Sequence, residues 1–265
     1  PNGGVLISGE KKFITRAGTA DMLVVVARRE GGPAGSKGLS AFVVPRPSPG
    51  LQVSATVPKA GWNGVPIAMV RFDQVHVPAS HRLGDEGRGM AIAQDTLLRA
   101  RIGHAAIALG RMRGALQIAT QYAAQRQVFG QAVAGHQGIQ WMVAGMAATV
   151  ESTRCLVYST ALRYDAGDAD AGVHASIAKM HATDACMRLV VDALQLLGGN
   201  GYLRAYPLER FFRDAKMNQI GEGTSEIHKG LIGRHVLQQA AGLPQHPCLD
   251  LEPDLWCGDG EAAWA

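Results

Sequence analysis

Short apolar runs occupy the first eighty residues and long helical stripes the remainder. Val5-Leu6-Ile7, Met22 to Val26, Ala41-Phe42-Val43-Val44, and Ala68 to Phe72 with Val75 and Val77 are apolar, largely β-branched segments of strand length. Glycine and proline clusters separate them, and Arg29 to Gly38 reads as a hairpin loop. Further on, apolar residues recur at helical spacing, as at Val173, Ile177, Met180, Met187, Val191 and Leu194 in a segment ending at Gly198-Gly199. Comparable segments run from Gly89 to Ala124, from His136 to Tyr164 and from Thr224 to Ala241. The pattern predicts an α+β chain, with a small β-barrel-like domain followed by an antiparallel four-helix bundle.

Proline usage places the joint. Eight of the 12 prolines lie at or before Pro78, none lies between Ala79 and Tyr206, and the rest follow from Pro207. Because proline interrupts helix interiors, this predicts a β domain over 1–83, a helical domain over 84–241 and an irregular tail over 242–265. At 265 residues, 47% hydrophobic and 18% charged, the chain can bury a substantial core, which excludes disorder. A net charge of +4 is scattered without a basic run, so no nucleic-acid partner is expected.

The four cysteines, Cys155, Cys186, Cys248 and Cys257, form no CxxC pair and have no histidine at ligand spacing, so neither a metal site nor a disulfide framework is expected. The longest uncharged stretch, Gln127 to Val150, carries Gln127, Gln131, His136, Gln137 and Gln140, which argues against a membrane span. The chain opens Pro1-Asn2-Gly3-Gly4 without Met or an apolar signal core, which points to a processed product or a fragment. The expected compartment is reducing, either the cytoplasm or, in a eukaryote, the mitochondrial matrix.

Four segments could carry chemistry. Glu222 stands between Gly221 and Gly223 just before a helical stripe, where backbone freedom on both sides could aim a carboxylate into a cavity; the plainer reading is a solvated acid near a helix N-terminus. Arg126 with Phe129 at a helix junction, followed by Gln137, suits a phosphate and a stacked ring, although a helix-end Arg over a core Phe explains the same residues. Gln195 to Gly201 ends a helix with more glycines than a cap needs. It matches neither GxGxxG nor the P-loop. Phe13-Ile14-Thr15 closes a strand-like run, and by itself is an amphipathic strand end.

Taken in this order, these segments together with Arg213-Asp214-Ala215-Lys216 and Glu222-Gly223-Thr224-Ser225-Glu226-Ile227 resemble the acyl-CoA dehydrogenase family from residue 1 to about 240. The resemblance implies an FAD enzyme that forms a 2,3-double bond in an acyl-CoA thioester and passes electrons to an electron-transferring flavoprotein. It makes Glu222 the base that removes the α-proton while hydride leaves the β-carbon for flavin N5. It places Phe13, Ile14 and Thr15 against the flavin ring and Thr224 and Glu226 near the pyrophosphate. Arg126, Phe129, Gln137, Gln195, Gly198 and Gly199 would hold the FAD of a neighbouring subunit in a homodimer or homotetramer. Arg101 and Gly223 would meet the substrate.

Some branches of the family carry the base before the residue matched by Arg101; that position is Ala100 here, which leaves Glu222 as the candidate. Gly221 stands where many members have Tyr, and Leu98 replaces a frequent Asp, so the acyl pocket and the usual CoA contact should differ. The family's N-terminal helical domain and the opening loop of its β domain have no counterpart in the sequence. Two further readings are a flavin oxidase on the same fold and a catalytically silent helical assembly protein.

Overall fold

The computed structural model describes residues 3–244; the expected irregular tail lies outside the described residues from 245 onward. Strand β1 (Gly4–Thr15) pairs antiparallel with β5 (Ile67–Pro78), and β5 also pairs with β4 (Leu51–Val53). A second sheet has the order β2-β3-β6, with β2 Met22–Arg28, β3 Leu39–Pro45 and β6 Arg82–Leu83. Alternation along these strands sends Ile7, Leu23, Val25, Phe42, Val44, Val70, Phe72, Val75 and Val77 into one shared core.

Along β5 the buried positions change phase between Phe72 and Val75, because Ile7 pairs with Val75 but Gly9 with Phe72. The extra β5 residue is absorbed as a bulge where Gln74 takes a left-handed φ of 51°, its backbone N–H and side-chain amide both donating to Ser8 Oγ. Among the described residues the β-barrel-like domain expected from sequence is two three-stranded sheets around the shared core, without a closed circuit of strands. The edge strands are short, β4 spanning three residues and β6 two.

Five α-helices follow among the described residues: α1 Gly89–Gln125, α2 Gln137–Asp165, α3 Ala171–Leu196, α4 Leu208–Ile220 and α5 Ser225–Ala240. A two-residue-stranded hairpin, β7 (Gln127–Val128) and β8 (Gln131–Ala132), joins α1 to α2. The helix α4 is additional to the four read from sequence, where its charged residues hid the inward positions Leu208, Ala215 and Asn218. α1 starts tight against the β domain: the Gly87 N–H donates to Ser40 Oγ, and a Cβ on Gly89 would lie 2.6 Å from the Ser40 carbonyl carbon.

The helical core is dominated by small side chains. α1 contributes Ala105, Ala108, Ala115, Ala119 and Ala123, and α3 contributes Ala178, Ala182, Ala185 and Ala193, so the two longest-contacting helices approach along a seam of methyl groups. The large apolar stripe read on α3 lies beside this seam, with Val191 exposed and Ile177, Met180 and Met187 half-buried. Lys179 shares the seam side of α3 and is completely buried.

Candidate active site around Glu222

Helix α4 stops where the Gly221 N–H closes onto Met217 O at 2.8 Å and the backbone turns extended. Glu222 then adopts φ 57° and Gly223 φ 97°. A left-handed residue with a Cβ costs about 1–2 kcal/mol, so this turn depends on its surroundings. At Gly223 a larger residue is disfavoured by φ and by space, since a Cβ would sit 3.1 Å from His228 Nε2. Thr224 caps α5 by accepting from the Ile227 N–H. Glu226 follows in the first turn, its carboxyl held below the usual range by its own backbone N–H and the Thr224 hydroxyl.

Helix α3 contacts both sides of the turn. Lys179 Nζ donates to Gly223 O at 2.6 Å, and Asp184 Oδ1 accepts from Gln219 Nε2 at 2.7 Å and from Ser225 Oγ at 2.8 Å. Three basic groups lie within electrostatic reach of Glu222. Arg101, on α1, donates to Ser176 Oγ while its Nε is buried without a partner; burial lowers its pKa and the charge of Glu222 opposes the shift. Burial likewise pushes His104 down and Lys179 down to about 8, with Glu222 opposing each. His228 is fully buried with neither ring nitrogen partnered, and burial lowers its pKa to about 4.

His104 leads from this loop to the β domain. Its ring stacks on Trp62 at a centroid distance of 5.6 Å, and its Nδ1 lies 3.3 Å from Asn218 Nδ2. Arg111 donates to Asn218 Oδ1 at 2.6 Å. Trp62, itself at φ 53°, is fastened to Asp214 on α4, and Arg213 reaches back to Ala60 O. Trp62, Arg111, Arg210 and Phe211 line an open hollow of about 620 Å³ beside this junction.

The other residues singled out in the sequence fall into two places. Arg126, Gln195, Gly198 and Gly199 line one open hollow of about 420 Å³, together with Tyr122 and Asn200. Phe129 follows the hollow residue Val128 in the β7–β8 turn at φ 48°, 97% exposed and edge-on to His136, with Gln137 next in the chain as the first residue of α2. The core position that the plainer reading gave Phe129 is thus corrected, because the turn carries it outward. About 32 Å of helix axis lies between Arg101 and Tyr122 at about 1.5 Å per residue, so this hollow stands well away from the Glu222 loop of the same chain.

On β1, Phe13 has φ 60° and is 67% exposed at a second register shift, Ile14 packs toward the β core and Thr15 is exposed opposite Ile67. No side-chain hydrogen bond joins this edge to the Glu222 loop among the described residues. Sequence reasoning missed Lys179, Asp184, His104 and Trp62. The available signal was position: Ala175, Lys179, Ala182 and Cys186 recur at helical spacing, which puts a lysine on a buried stripe.

Comparison with known proteins converges on one family. Residues 87–237 match the family of the acyl-CoA dehydrogenase C-terminal domain and residues 1–75 that of the acyl-CoA dehydrogenase middle domain. The chain is 42% identical over 236 residues to an acyl-CoA dehydrogenase of Bacillus subtilis, covering 89% of this chain and 62% of that protein. It superposes on butyryl-CoA dehydrogenase from Megasphaera elsdenii with a TM-score of 0.85 at 38% identity, covering 89% of this chain and 61% of that one. A structure of PigA with FAD and proline gives a TM-score of 0.87 at 29% identity, covering 90% of this chain and 62% of the other. The chain thus spans less than two thirds of the length of these relatives.

Proposed function

Because the chain belongs to the acyl-CoA dehydrogenase family, we propose that it is the base-bearing and flavin-binding part of an oxidoreductase that introduces a 2,3-double bond into an acyl-CoA thioester. The observation that carries this reading is the presentation of Glu222. It is an incompletely buried carboxylate at φ 57°, held on a turn between two helices and sensed by Arg101, His104 and Lys179.

Glu222 takes the α-proton. Its own backbone N–H is the protein donor to the thioester carbonyl, where enolate charge develops, and a donor fixed there before reaction stabilises that charge without reorganising. Arg101 and Gly223 border the acyl-CoA, with Gly223 admitting the thioester close to the backbone.

The residues present fit FAD. The hollow at Arg126 offers a guanidinium for a pyrophosphate and the amide of Gln195, and a Cβ on Gly198 or Gly199 would meet nothing within 4 Å, so backbone there is open to a ligand. Beside it, His136 Nε2 is buried without a partner next to the exposed Phe129 ring and Gln137. Phe13 and Thr15 supply an exposed ring and hydroxyl for the flavin end, with Ile14 supporting them, and Thr224 and Glu226 face its phosphates. Bound FAD supplies the two-electron acceptor for the hydride that leaves the β-carbon. Since the Arg126 hollow and the Glu222 loop lie toward opposite ends of α1, a cofactor touching both takes them from two copies of the chain, in a homodimer or homotetramer. An electron-transferring flavoprotein is the partner that reoxidises the enzyme.

The test is anaerobic titration of FAD-loaded protein with a panel of acyl-CoA thioesters while flavin absorbance is followed. One thioester bleaches the flavin, and Glu222→Gln slows bleaching by about 10²–10⁴-fold with flavin retained. Normal bleaching by the Gln variant refutes the assignment of the base.

A further inference from the structure

We propose that Lys179 and Asp184 on α3 form a clamp that sets the position of Glu222, with Lys179 as a positioning residue for the reaction. This rests on the reading of Glu222 as the base. Three bonds from two residues of one helix converge on seven residues of chain: Asp184 Oδ1 takes Gln219 from the end of α4 and Ser225 from the start of α5, and Lys179 Nζ takes the carbonyl of Gly223 between them. Glu222 lies inside this span at a φ that a residue with a Cβ adopts only under constraint. The clamp constrains this turn beside the buried His228 ring, which packs against Gly223.

Placing a lysine here has no plain structural rationale. Its side chain is fully buried, and desolvating its ammonium carries a cost that an apolar residue of similar length would not incur. What the ammonium adds is a charge-assisted bond, roughly twice as strong as a neutral one, aimed at the carbonyl one residue beyond the base. Several charged or titratable groups face it: Asp184 on α3, Glu222 on the loop and Glu226 on α5 favour its charge, Arg101 on α1 opposes it, and His104 and His228 respond to it. Burial brings its titration down to about 8, so the strength of the clamp changes within an accessible pH range.

The experiment uses the FAD-loaded protein, with Lys179→Met and Glu222→Gln side by side. Lys179→Met is expected to keep its flavin, to slow flavin reduction by acyl-CoA roughly 10–100-fold through misplacement of the base, and to lose the alkaline limb of the wild-type rate profile near pH 8. Amide exchange in the peptide covering 220–228, expressed as protection relative to the intrinsic rate, is expected to rise about tenfold in speed in the variant. Unchanged reduction and unchanged exchange overturn the clamp. If Lys179→Met does not fold, wild-type protection of that peptide from pH 6.5 to 9.5 decides: loss centred near 8 supports the clamp and a flat profile overturns it. If Glu222→Gln reduces flavin normally, the base assignment fails by itself and the clamp is judged on loop exchange alone.

Discussion

Trp62 and Asp214, 152 residues apart, are joined by two hydrogen bonds: the Trp62 backbone N–H donates to Asp214 Oδ1 at 2.6 Å and the indole Nε1–H to Asp214 O at 3.0 Å. They tie the loop between β4 and β5 to α4. Asp214 also lies 4.0 Å from Arg111 in a largely buried setting. Asp214→Ala leaves the Trp62 N–H and the Arg111 charge without this carboxylate and should cost about 1–3 kcal/mol. The midpoint of urea denaturation reports it, and an unchanged midpoint would show that the two parts stay joined without this bond.

The same junction is closely packed at Gly61, where a Cβ would approach Arg213 O and Asp214 Oδ1 to 2.7 Å. Gly61→Ala should destabilise by about 1–3 kcal/mol through forced displacement of backbone. Gly64→Ala, with nothing within 4 Å of its Cβ, serves as the matched control and should stay within about 0.5 kcal/mol. Melting temperatures that fall equally in both variants would contradict this account.

His228 predicts a sensitivity to acid. Its folded pKa, about 4, lies below the ordinary 6.5, so the unfolded chain binds the extra proton first. Its contribution is therefore complete above about pH 6.5 and is lost as pH falls from there toward 4. His228→Gln should flatten the stability profile between pH 7 and 5 by on the order of 1–2 kcal/mol relative to wild type. Parallel profiles for the two proteins would show that the buried imidazole does not titrate in this window.

Arg126 tests the remote hollow. Its backbone is fixed by Tyr122 O and the Val133 N–H, so Arg126→Ala should leave the β7–β8 hairpin intact. If its guanidinium holds a cofactor phosphate, flavin per protomer should fall, and with it the thermal stability that bound ligand lends the assembly. Flavin content beside light-scattering mass measures both. Unaltered values would make Arg126 a helix-end residue only.

The division between strands and long helices was legible because alternation, helical spacing and proline placement agree over many residues. α4 was not, because its inward face offers one leucine, one alanine and an asparagine among charges that serve local pairs, such as Glu209 with Arg213. The strands β4 and β6 were also invisible, since segments of three and two residues carry no alternation and exist only through their partners β5 and β3. In the site, Glu222 stood out because glycines flank it. Lys179 and Asp184 are separated from it by some forty residues, and nothing local to α3 announces that both reach one turn. Phe129 was misjudged as core under the plainer reading because an aromatic beside a helix usually packs inward, whereas here its left-handed turn points it to solvent.

The alanine seam between α1 and α3 has an effect beyond packing. Arg101 and His104 ride on one of these helices, Lys179 and Asp184 on the other, and the loop that carries Glu222 is bonded to the second through the Gly223 carbonyl. The separation of these two sets of side chains is therefore set by small residues: one heavier residue along the seam would spread the two helices and move both sets at once. On the proposed reading of Glu222 as the base, acyl preference responds to substitutions that never touch an acyl chain, at positions that look in sequence like the blandest part of the molecule.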